Sequence, residues 1–272
     1  MSKNKTVLGV CVYITPDTEE SRGKLARDCF SSLLSTVNFD NNELYIVDQN
    51  SVKSAKDSIV EFKDKVATIY GLEAADNIKV ITLNENIGTS RGHNLILKER
   101  NGRHQIKFDE DITWYTNDWV ERLENIVDKI PEIGVLGCKR KDLIQHDAHE
   151  SELFRSEVKM VPHVPGTEWE FVEFSRDIMG SCVMYTDKLL DKTGYSFQWG
   201  LYGFEDNIYC IRSQAAGFYN AFAHPIHISH NDPGGDIYTE IKRKQASEHW
   251  DKYQQFGNAI LQKKQSYYFN FY

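Results

Sequence analysis

Short apolar runs alternate with amphipathic stretches through the first 115 residues of the chain. After the first run, apolar residues recur at helical spacing from Leu25 to Val37, and a second amphipathic stretch ends at Gly71. Apolar runs of this length, bounded by turn residues, predict buried strands at residues 7–14, 43–48, 78–83 and 105–109. Strands that alternate with helices predict an α/β fold with a mainly parallel sheet.

The alternation becomes less regular in the second half of the chain. The pattern predicts helices at residues 117–130, 187–193 and 205–216, and strands at residues 134–138, 169–175 and 179–186. Residues 139–166 are polar, contain histidine and proline, and show little periodicity. A segment of that length without regular structure predicts a functional loop.

The C-terminal part of the chain predicts one more helix, at residues 238–262. Its apolar residues fall roughly on one face, and residues 240–264 carry six Lys or Arg against three Asp or Glu. We interpret it as an amphipathic helix docked on the core with its cations in solvent, a lid or partner surface being the alternative. The predicted organisation is one domain at 1–237, with halves at 1–115 and 116–237, followed by a helical and aromatic extension at 238–272.

Composition narrows the class of protein. The 272 residues include 32 Lys and Arg against 40 Asp and Glu, which argues against a general binder of nucleic-acid backbones but leaves room for a local basic patch. The five cysteines lie far apart without a C-x-x-C pair, as in a cytoplasmic protein with reduced thiols. The apolar stretch VLGVCVYI is too short for a signal sequence or a transmembrane segment, so we expect a cytoplasmic location.

An acidic motif follows the fourth predicted strand. In the segment HQIKFDEDI, Asp109 and Asp111 alternate along the chain and are expected to point to one side, with Glu110 facing elsewhere. The carboxyl edge of an open α/β sheet is where ligands bind. Two carboxylates there suit Mn²⁺ or Mg²⁺, which share their coordination shell with water and phosphates. A motif of this kind standing alone is more often a solvated turn.

Polar residues also follow the first three predicted strands, namely Thr15, Asp48, Asn86 and Arg91. Each of them alone fits a turn or a helix start. Because the carboxyl ends of parallel strands meet at one edge, we expect these residues to share a rim with the acidic motif. Such a rim offers a carboxylate and amides to a nucleoside and an arginine to phosphate.

A second acidic pair, Glu205 and Asp206, opens a predicted helix. It follows a loop rich in glycine and aromatic residues that contains Trp199, Tyr202 and Phe204. A helix N-terminus stabilises carboxylates, so a simple first-turn role is one interpretation. The neighbouring aromatic rings favour a binding role, since such rings commonly carry sugars.

Three histidines, His224, His227 and His230, precede a Gly-Gly turn. An imidazole from one of them could complete a metal site with the carboxylates. A surface or packed position is the more common role of any single histidine.

The order of these motifs resembles the family 2 type of glycosyltransferase over roughly residues 5–235. The elements that carry the resemblance are IVDQNS, NENIGTSRGHN, FDED, GFEDNIYCIRSQAAGF and the late histidine before Gly-Gly. Three positions depart from the family pattern. Gln49 and Asn50 replace the common Asn-Gly, and His93 stands where an arginine is usual.

The resemblance implies a GT-A fold, which is a Rossmann-like, mixed and mainly parallel sheet flanked by helices. It also implies an inverting transfer from a nucleotide-diphosphate sugar, with a UDP-sugar favoured. Asp48 would contact the base, Asp109 the ribose or the metal, and Asp111 would ligate Mn²⁺ or Mg²⁺ with His230. The implied donor contacts are completed by Thr15, Asn86 and Arg91.

On the acceptor side, the resemblance implies Asp206 as general base with Glu205 beside it. The expected acceptor is a glycan, a modified base in phage DNA being a less favoured alternative. Two other classes stay open. One is a catalytically inactive carbohydrate-binding relative, and the other is a sugar-1-phosphate nucleotidyltransferase, which would need a basic, Gly-rich loop where this chain has the acidic ITPDTEESRG.

Overall fold

The computed structural model describes residues 5–140, 158–162, 169–231 and 237–271. Within these ranges, ten strands form a single sheet. In chain order they are β1 (Thr6–Val12), β2 (Glu43–Gln49), β3 (Ile78–Leu83), β4 (His104–Phe108), β5 (Ile112–Trp114), β6 (Ile133–Arg140), β7 (Val158–Pro162), β8 (Trp169–Ser175), β9 (Cys182–Tyr185) and β10 (Tyr219–His230).

The sheet is mixed, with its parallel part formed by the first half of the chain. Strands β3, β2, β1 and β4 lie side by side in that order and are parallel. Strand β9 runs antiparallel between β4 and β6, and β6 is parallel to β10. An antiparallel pair, β8 and β7, forms the far edge, while the short β5 pairs with the end of β10. The predicted α/β class with a mainly parallel nucleus is confirmed.

Helices cover both faces of the sheet. They are α1 (Glu19–Thr36), α2 (Lys53–Tyr70), α3 (Leu72–Ala75), α4 (Thr89–Glu99), α5 (Trp119–Lys129), α6 (Asp187–Thr193), α7 (Glu205–Ala215) and α8 (Ile237–Leu261). Helices α1, α2 and α5 contribute to the core on one face, and α4, α6 and α7 to the core on the other.

Alternate residues of the central strands face these two layers. In β1, Leu8 and Val10 belong to the core that includes Phe30 of α1, whereas Val7 packs with Ile96 of α4. A parallel strand buried on both faces has a nearly continuous apolar sequence. For this reason the first four predicted strands agree with the structure to within two residues at each end.

The second half differs from its prediction in two places. Strand β10 was not predicted, because it contains a proline, which has no N–H to donate to a ladder. The proline falls in the irregularity between Ala223 and His227, where β10 shifts its register against β6. The predicted loop at 139–166 is also partly wrong, since β6 extends to Arg140 and residues 158–162 form β7. The rest of that loop lies outside the described residues.

The C-terminal helix is present as predicted, and it packs on the aromatic loop that precedes α7. Phe204 stacks on Tyr253 with their ring centres 4.5 Å apart, and Tyr202 meets Tyr238 edge to face at 4.9 Å. Most of the aromatic rings at 197–204 are therefore used to hold α8 rather than exposed as an open platform. None of the helices in the described ranges combines the length and apolar character needed to cross a membrane.

Candidate active site

A cavity of about 260 Å³ lies at the carboxyl ends of β1, β2 and β4. Tyr13 and Gln49 line it from the first two strands, and Lys107 and the acidic motif line it from β4. The start of α7 forms another wall, and α8 covers the cavity with Tyr238 and Lys242. The C-terminal helix thus forms one wall of the cavity at the sheet edge predicted to bind ligands.

Two aspartates and one histidine cluster at one side of this cavity. In the antiparallel pairing of β5 with β10, His230 lies opposite Ile112, the residue after Asp111. The His230 Nε2 atom lies 3.3 Å from Asp111 Oδ1 and 3.9 Å from Asp109 Oδ2. One ligand atom from each of the three side chains lies within 4.8 Å of the other two. Two hard carboxylate oxygens and an imidazole nitrogen form a donor set that fits a divalent cation.

The ionisation of Asp111 and His230 reflects their opposite charges at close range. Burial alone would raise the pKa of Asp111, but the charge and hydrogen bonding of His230 outweigh it and lower that pKa. Burial alone would lower the pKa of His230, and the Asp111 carboxylate outweighs it and raises that pKa. Asp111 is therefore held as an anion, as a metal ligand requires.

The acidic motif adopts a turn, and this changes the expected position of Glu110. Residues 109–111 fall between β4 and β5, with Asp109 N–H donating to the Ser181 carbonyl at 2.9 Å. Glu110 lines the cavity as well, so the expectation that it faces elsewhere was wrong, because strand alternation ends at Phe108. Burial and the charge of Asp111 raise the pKa of Glu110 to about 7.

The second acidic pair lies across the cavity and is anchored by a buried lysine. Lys107 Nζ lies 2.8 Å from Asp206 Oδ1 and 3.4 Å from Glu205 Oε1. The Tyr185 hydroxyl donates to the same Asp206 oxygen at 3.3 Å. A Cβ atom at position 180 would overlap the Asp206 carboxylate, so Gly180 leaves the space that this side chain occupies. These contacts fix Asp206 in one orientation.

Asp206 has the ionisation expected of a base that works near neutrality. Burial raises its pKa to about 6, even though the Lys107 ammonium acts in the opposite direction. Burial alone would lower the pKa of Lys107, but the carboxylates of Asp206 and Glu205 outweigh it and raise that pKa. Lys107 thus stays charged while Asp206 titrates.

Two further cations approach the cluster of Asp109, Asp111 and His230 from helices distant in sequence. Arg22 of α1 is 1 % exposed, and its Nη1 lies 3.7 Å from Asp111 Oδ2. Its guanidinium stacks on the Tyr238 ring, 3.8 Å from the ring centre, and Lys242 Nζ lies 4.5 Å from the same centre. Among the described residues, five carboxylates and three Lys or Arg side chains line the cavity. At full ionisation the two negative charges in excess match one divalent cation.

Four of the predicted donor-binding residues are outside the lining of this cavity. Asp48 is buried and accepts the Ser51 N–H at 2.8 Å, while Thr15 and Thr18 form the hydrogen bonds of a helix cap. Asn86 donates to the hydroxyl of Tyr202, which does line the cavity, at 3.4 Å. Arg91 is exposed.

The structure distinguishes the three late histidines. Among the described residues, His230 is the one that joins a three-residue cluster able to hold a metal. His224 instead bonds the Glu173 carboxylate, which also accepts from Lys139 at 2.6 Å.

Comparison with known proteins identifies the chain. The family model described as "Glycosyl transferase family 2" matches residues 18–191, which is more than half of the sequence. The chain belongs to glycosyl transferase family 2. Comparison with curated proteins gave no significant match.

Solved structures confirm the GT-A fold of this family 2 member. The mannosyltransferase PcManGT from Pyrobaculum calidifontis, in complex with GDP-Man and Mn²⁺, matches with a TM-score of 0.65 at 14% identity, over 94% of this chain and 65% of that chain. The structure of S. aureus TarS with UDP-GlcNAc matches with a TM-score of 0.54 at 17% identity, over 81% of this chain and 55% of that chain. The structure of GalNAc-T7 with UDP, GalNAc and Mn²⁺ matches with a TM-score of 0.58 at 12% identity, over 95% of this chain and 50% of that chain. The chain thus spans between half and two thirds of the length of these structures, and at such identities the likeness shows the fold alone.

Four residues that line this cavity were not predicted from the sequence, namely Arg22, Lys107, Tyr238 and Lys242. Lys107 carried a usable signal, since a lysine inside an otherwise apolar strand is rarely buried without a carboxylate partner. Arg22, Tyr238 and Lys242 gave none, because each occupies an ordinary position on an amphipathic helix. Their place in the site depends on how α1 and α8 pack at the sheet edge.

Proposed function

We propose that this family 2 glycosyltransferase moves a sugar from a nucleotide-diphosphate sugar, with a UDP-sugar favoured, to an acceptor hydroxyl with inversion at the anomeric carbon. One observation carries the proposal. Asp109 and Asp111, which form a cluster with His230, line the same cavity as the pair Glu205 and Asp206. A single displacement needs a site for the leaving diphosphate and a base for the incoming hydroxyl, and the cavity offers both.

In this mechanism Asp206 is the general base. Its carboxylate takes the proton of the acceptor hydroxyl while the acceptor oxygen attacks the anomeric carbon and the bond to the diphosphate breaks. Lys107 holds Asp206 in place, and Glu205 beside it positions the acceptor or the base. Attack from the side opposite the leaving group inverts the configuration at that carbon.

The leaving diphosphate would lie at the other side of the cavity. Asp109, Asp111 and His230 would hold Mn²⁺ or Mg²⁺ there. When bound, this ion neutralises the charge that develops on the departing nucleotide. Arg22 and Lys242 add two fixed positive charges near the same place.

The nucleoside would extend from this point along the sheet edge. We place the base near Asp48 and the ribose near Asp109, with Thr15, Asn86 and Arg91 as further donor contacts. Asn86 supports this placement through its hydrogen bond to Tyr202, which lines the cavity. Residues 1–115 would then form the donor half, and 116–237 the acceptor half.

We place a glycan acceptor in a groove of about 320 Å³ between α7 and α8. Phe204 lines both this groove and the active-site cavity. The groove also contains Trp250, which is 52 % exposed, and Tyr253, together with polar groups such as Asn207. Aromatic faces beside amide groups suit a sugar ring, and Phe204 borders both this groove and the cavity that contains Asp206.

The proposed function is tested by nucleotide-sugar binding. We expect titration calorimetry with UDP-glucose, UDP-galactose, UDP-N-acetylglucosamine and GDP-mannose to show binding of at least one donor in Mn²⁺, weakened at least tenfold by EDTA. The same donor should be hydrolysed slowly when no acceptor is present. Failure of every donor to bind, or binding that does not respond to metal, would disprove the proposal.

The acceptor groove is tested by Trp250→Ala. We expect KM for an oligosaccharide acceptor to rise about five- to thirtyfold, because a stacking face worth roughly 1–2 kcal/mol is lost, while KM for the donor stays constant. Tyr219→Ala removes another exposed aromatic residue on β10 and serves as the control. An acceptor panel that includes base-modified DNA tests the alternative acceptor. An unchanged acceptor KM would place the acceptor elsewhere.

A further inference from the structure

The inner wall of the active-site cavity contains a histidine that the proposed reaction does not use. His93 is 4 % exposed and lines the cavity together with Gln49, Thr89 and Lys107. Neither of its ring nitrogens has a hydrogen-bond partner among the residues that the structure describes. A buried polar group without a partner destabilises a fold, so its presence indicates a partner that binds from the cavity.

The local structure holds this histidine against the sheet. Helix α4 approaches β1 so closely that a Cβ atom at Gly92 would clash with the sulfur of Cys11. The His93 carbonyl accepts a hydrogen bond from Gln105 Nε2 of β4 at 3.3 Å. The backbone of His93 is therefore fixed between two central strands.

The charge state of His93 selects the kind of group it can bind. Burial, together with the nearby Lys107 ammonium, lowers the pKa of His93 well below its usual value. A neutral imidazole has one N–H donor and one acceptor nitrogen. A sugar hydroxyl also donates and accepts, so it matches this ring, whereas a phosphate would be bound better by a cation.

The position of His93 identifies the sugar concerned. The transferred sugar must lie between the diphosphate, at Asp109 and Asp111, and the base, Asp206. Lys107 bonds Asp206 and lines the cavity beside His93, so this wall faces the space between the two acidic groups. We propose that His93 recognises a hydroxyl of the sugar being transferred and so determines which donor sugar is accepted. This inference rests on the proposed function.

The test compares binding of a nucleotide sugar with binding of its free nucleoside diphosphate. Calorimetry in Mn²⁺ is carried out with wild type and His93→Leu, using the donor that wild type binds best and the matching UDP or GDP. We expect His93→Leu to weaken binding of the nucleotide sugar about 10- to 100-fold and binding of the free nucleotide less than twofold. Its Tm should equal or exceed that of wild type, because an unpaired imidazole is replaced by an apolar side chain.

Two further variants complete the design. His249→Leu changes a histidine of α8 that packs on Trp199 outside the cavity lining, and it should alter neither affinity. His93→Gln keeps a polar side chain and should change the ratio of affinities for UDP-glucose and UDP-galactose, or for whichever pair wild type distinguishes, at least fivefold. If His93→Leu does not fold, the ratio of donor affinities of His93→Gln still tests the inference.

Each outcome supports or overturns the inference. The inference is overturned if His93→Leu weakens binding of the nucleotide sugar and of the free nucleotide equally, or weakens neither. It is also overturned if His93→Gln leaves the ratio of donor affinities unchanged. Either result would show that His93 does not recognise the sugar. Those results would leave the proposed function intact. If wild type binds none of the donors, the proposed function fails and this inference fails with it.

Discussion

Replacing Asp206 by asparagine should lower the rate of sugar transfer by about 10²- to 10⁴-fold, which is the range expected for loss of a general base. Donor affinity should stay within about threefold of wild type, since Asp206 lies across the cavity from the cluster of Asp109, Asp111 and His230. The measurement is single-turnover transfer at saturating donor, together with calorimetric binding of the donor. The two readings separate loss of chemistry from loss of substrate binding.

The asparagine variant should keep its fold. Its side-chain carbonyl can still accept hydrogen bonds from Lys107 and Tyr185, and its shape still fits against Gly180. Asp191→Asn is a matched control, because Asp191 pairs with Arg100 at the surface, outside the cavity lining. Transfer by Asp206→Asn at a near wild-type rate would place the base elsewhere, with Glu205 the first alternative.

The pH profile gives a second signature of the same base. Because the pKa of Asp206 is raised to about 6, its ionised form is complete above about pH 7 and is lost as pH falls through 6. We expect the transfer rate to be level above pH 7 and to fall about tenfold per pH unit below pH 6. The residual transfer rate of Asp206→Asn should not show this fall below pH 6. A wild-type rate that is independent of pH between 5 and 7 would contradict the assignment.

The parts of the fold that could be predicted are those with a local signal. Strands β1 to β4 are buried on both faces, so each forms a continuous apolar run that stands out in the sequence. Strand β5 has three residues and β10 contains a proline, and neither length nor composition marks them. Both matter for the site, because the pairing of His230 with Ile112 brings the histidine to Asp111.

The site itself divides in the same way. The acidic pairs were recognised because neighbouring carboxylates at a strand end and a helix start are visible in the sequence. Their partners were not, since Lys107 and Asp206 lie 99 positions apart in the sequence and meet only in the folded chain, where the start of α7 lies beside the end of β4. The orientation of Glu110 was mispredicted because the strand gives way to a turn after Phe108. Motifs formed by neighbouring residues could therefore be recognised in the sequence, whereas the pairing of distant residues depended on tertiary structure.

If Asp109, Asp111 and His230 hold Mn²⁺, nucleotide binding and Mn²⁺ binding should depend on each other. With a nucleoside diphosphate at about 100 times its Kd, binding to the folded state stabilises the protein by about 2.7 kcal/mol. For a chain of this size we expect Tm to rise by roughly 5–10 °C. The rise should require Mn²⁺ in wild type and be absent with EDTA, because the excess negative charge of the cavity repels a bare diphosphate.

Asp111→Asn should remove most of this stabilisation. The variant loses an anionic ligand that His230 and Arg22 hold in place, and the remaining Asp109 and His230 offer two ligands instead of three. We expect a nucleotide-induced rise in Tm below about 2 °C with Mn²⁺, and sugar transfer reduced at least 10²-fold. His224→Gln changes a histidine of the same strand outside the cluster, so its Mn²⁺-dependent rise should match that of wild type. A full rise in Asp111→Asn would show that the metal is held elsewhere, because a Tm shift reports ligand binding whether or not the chemistry proceeds.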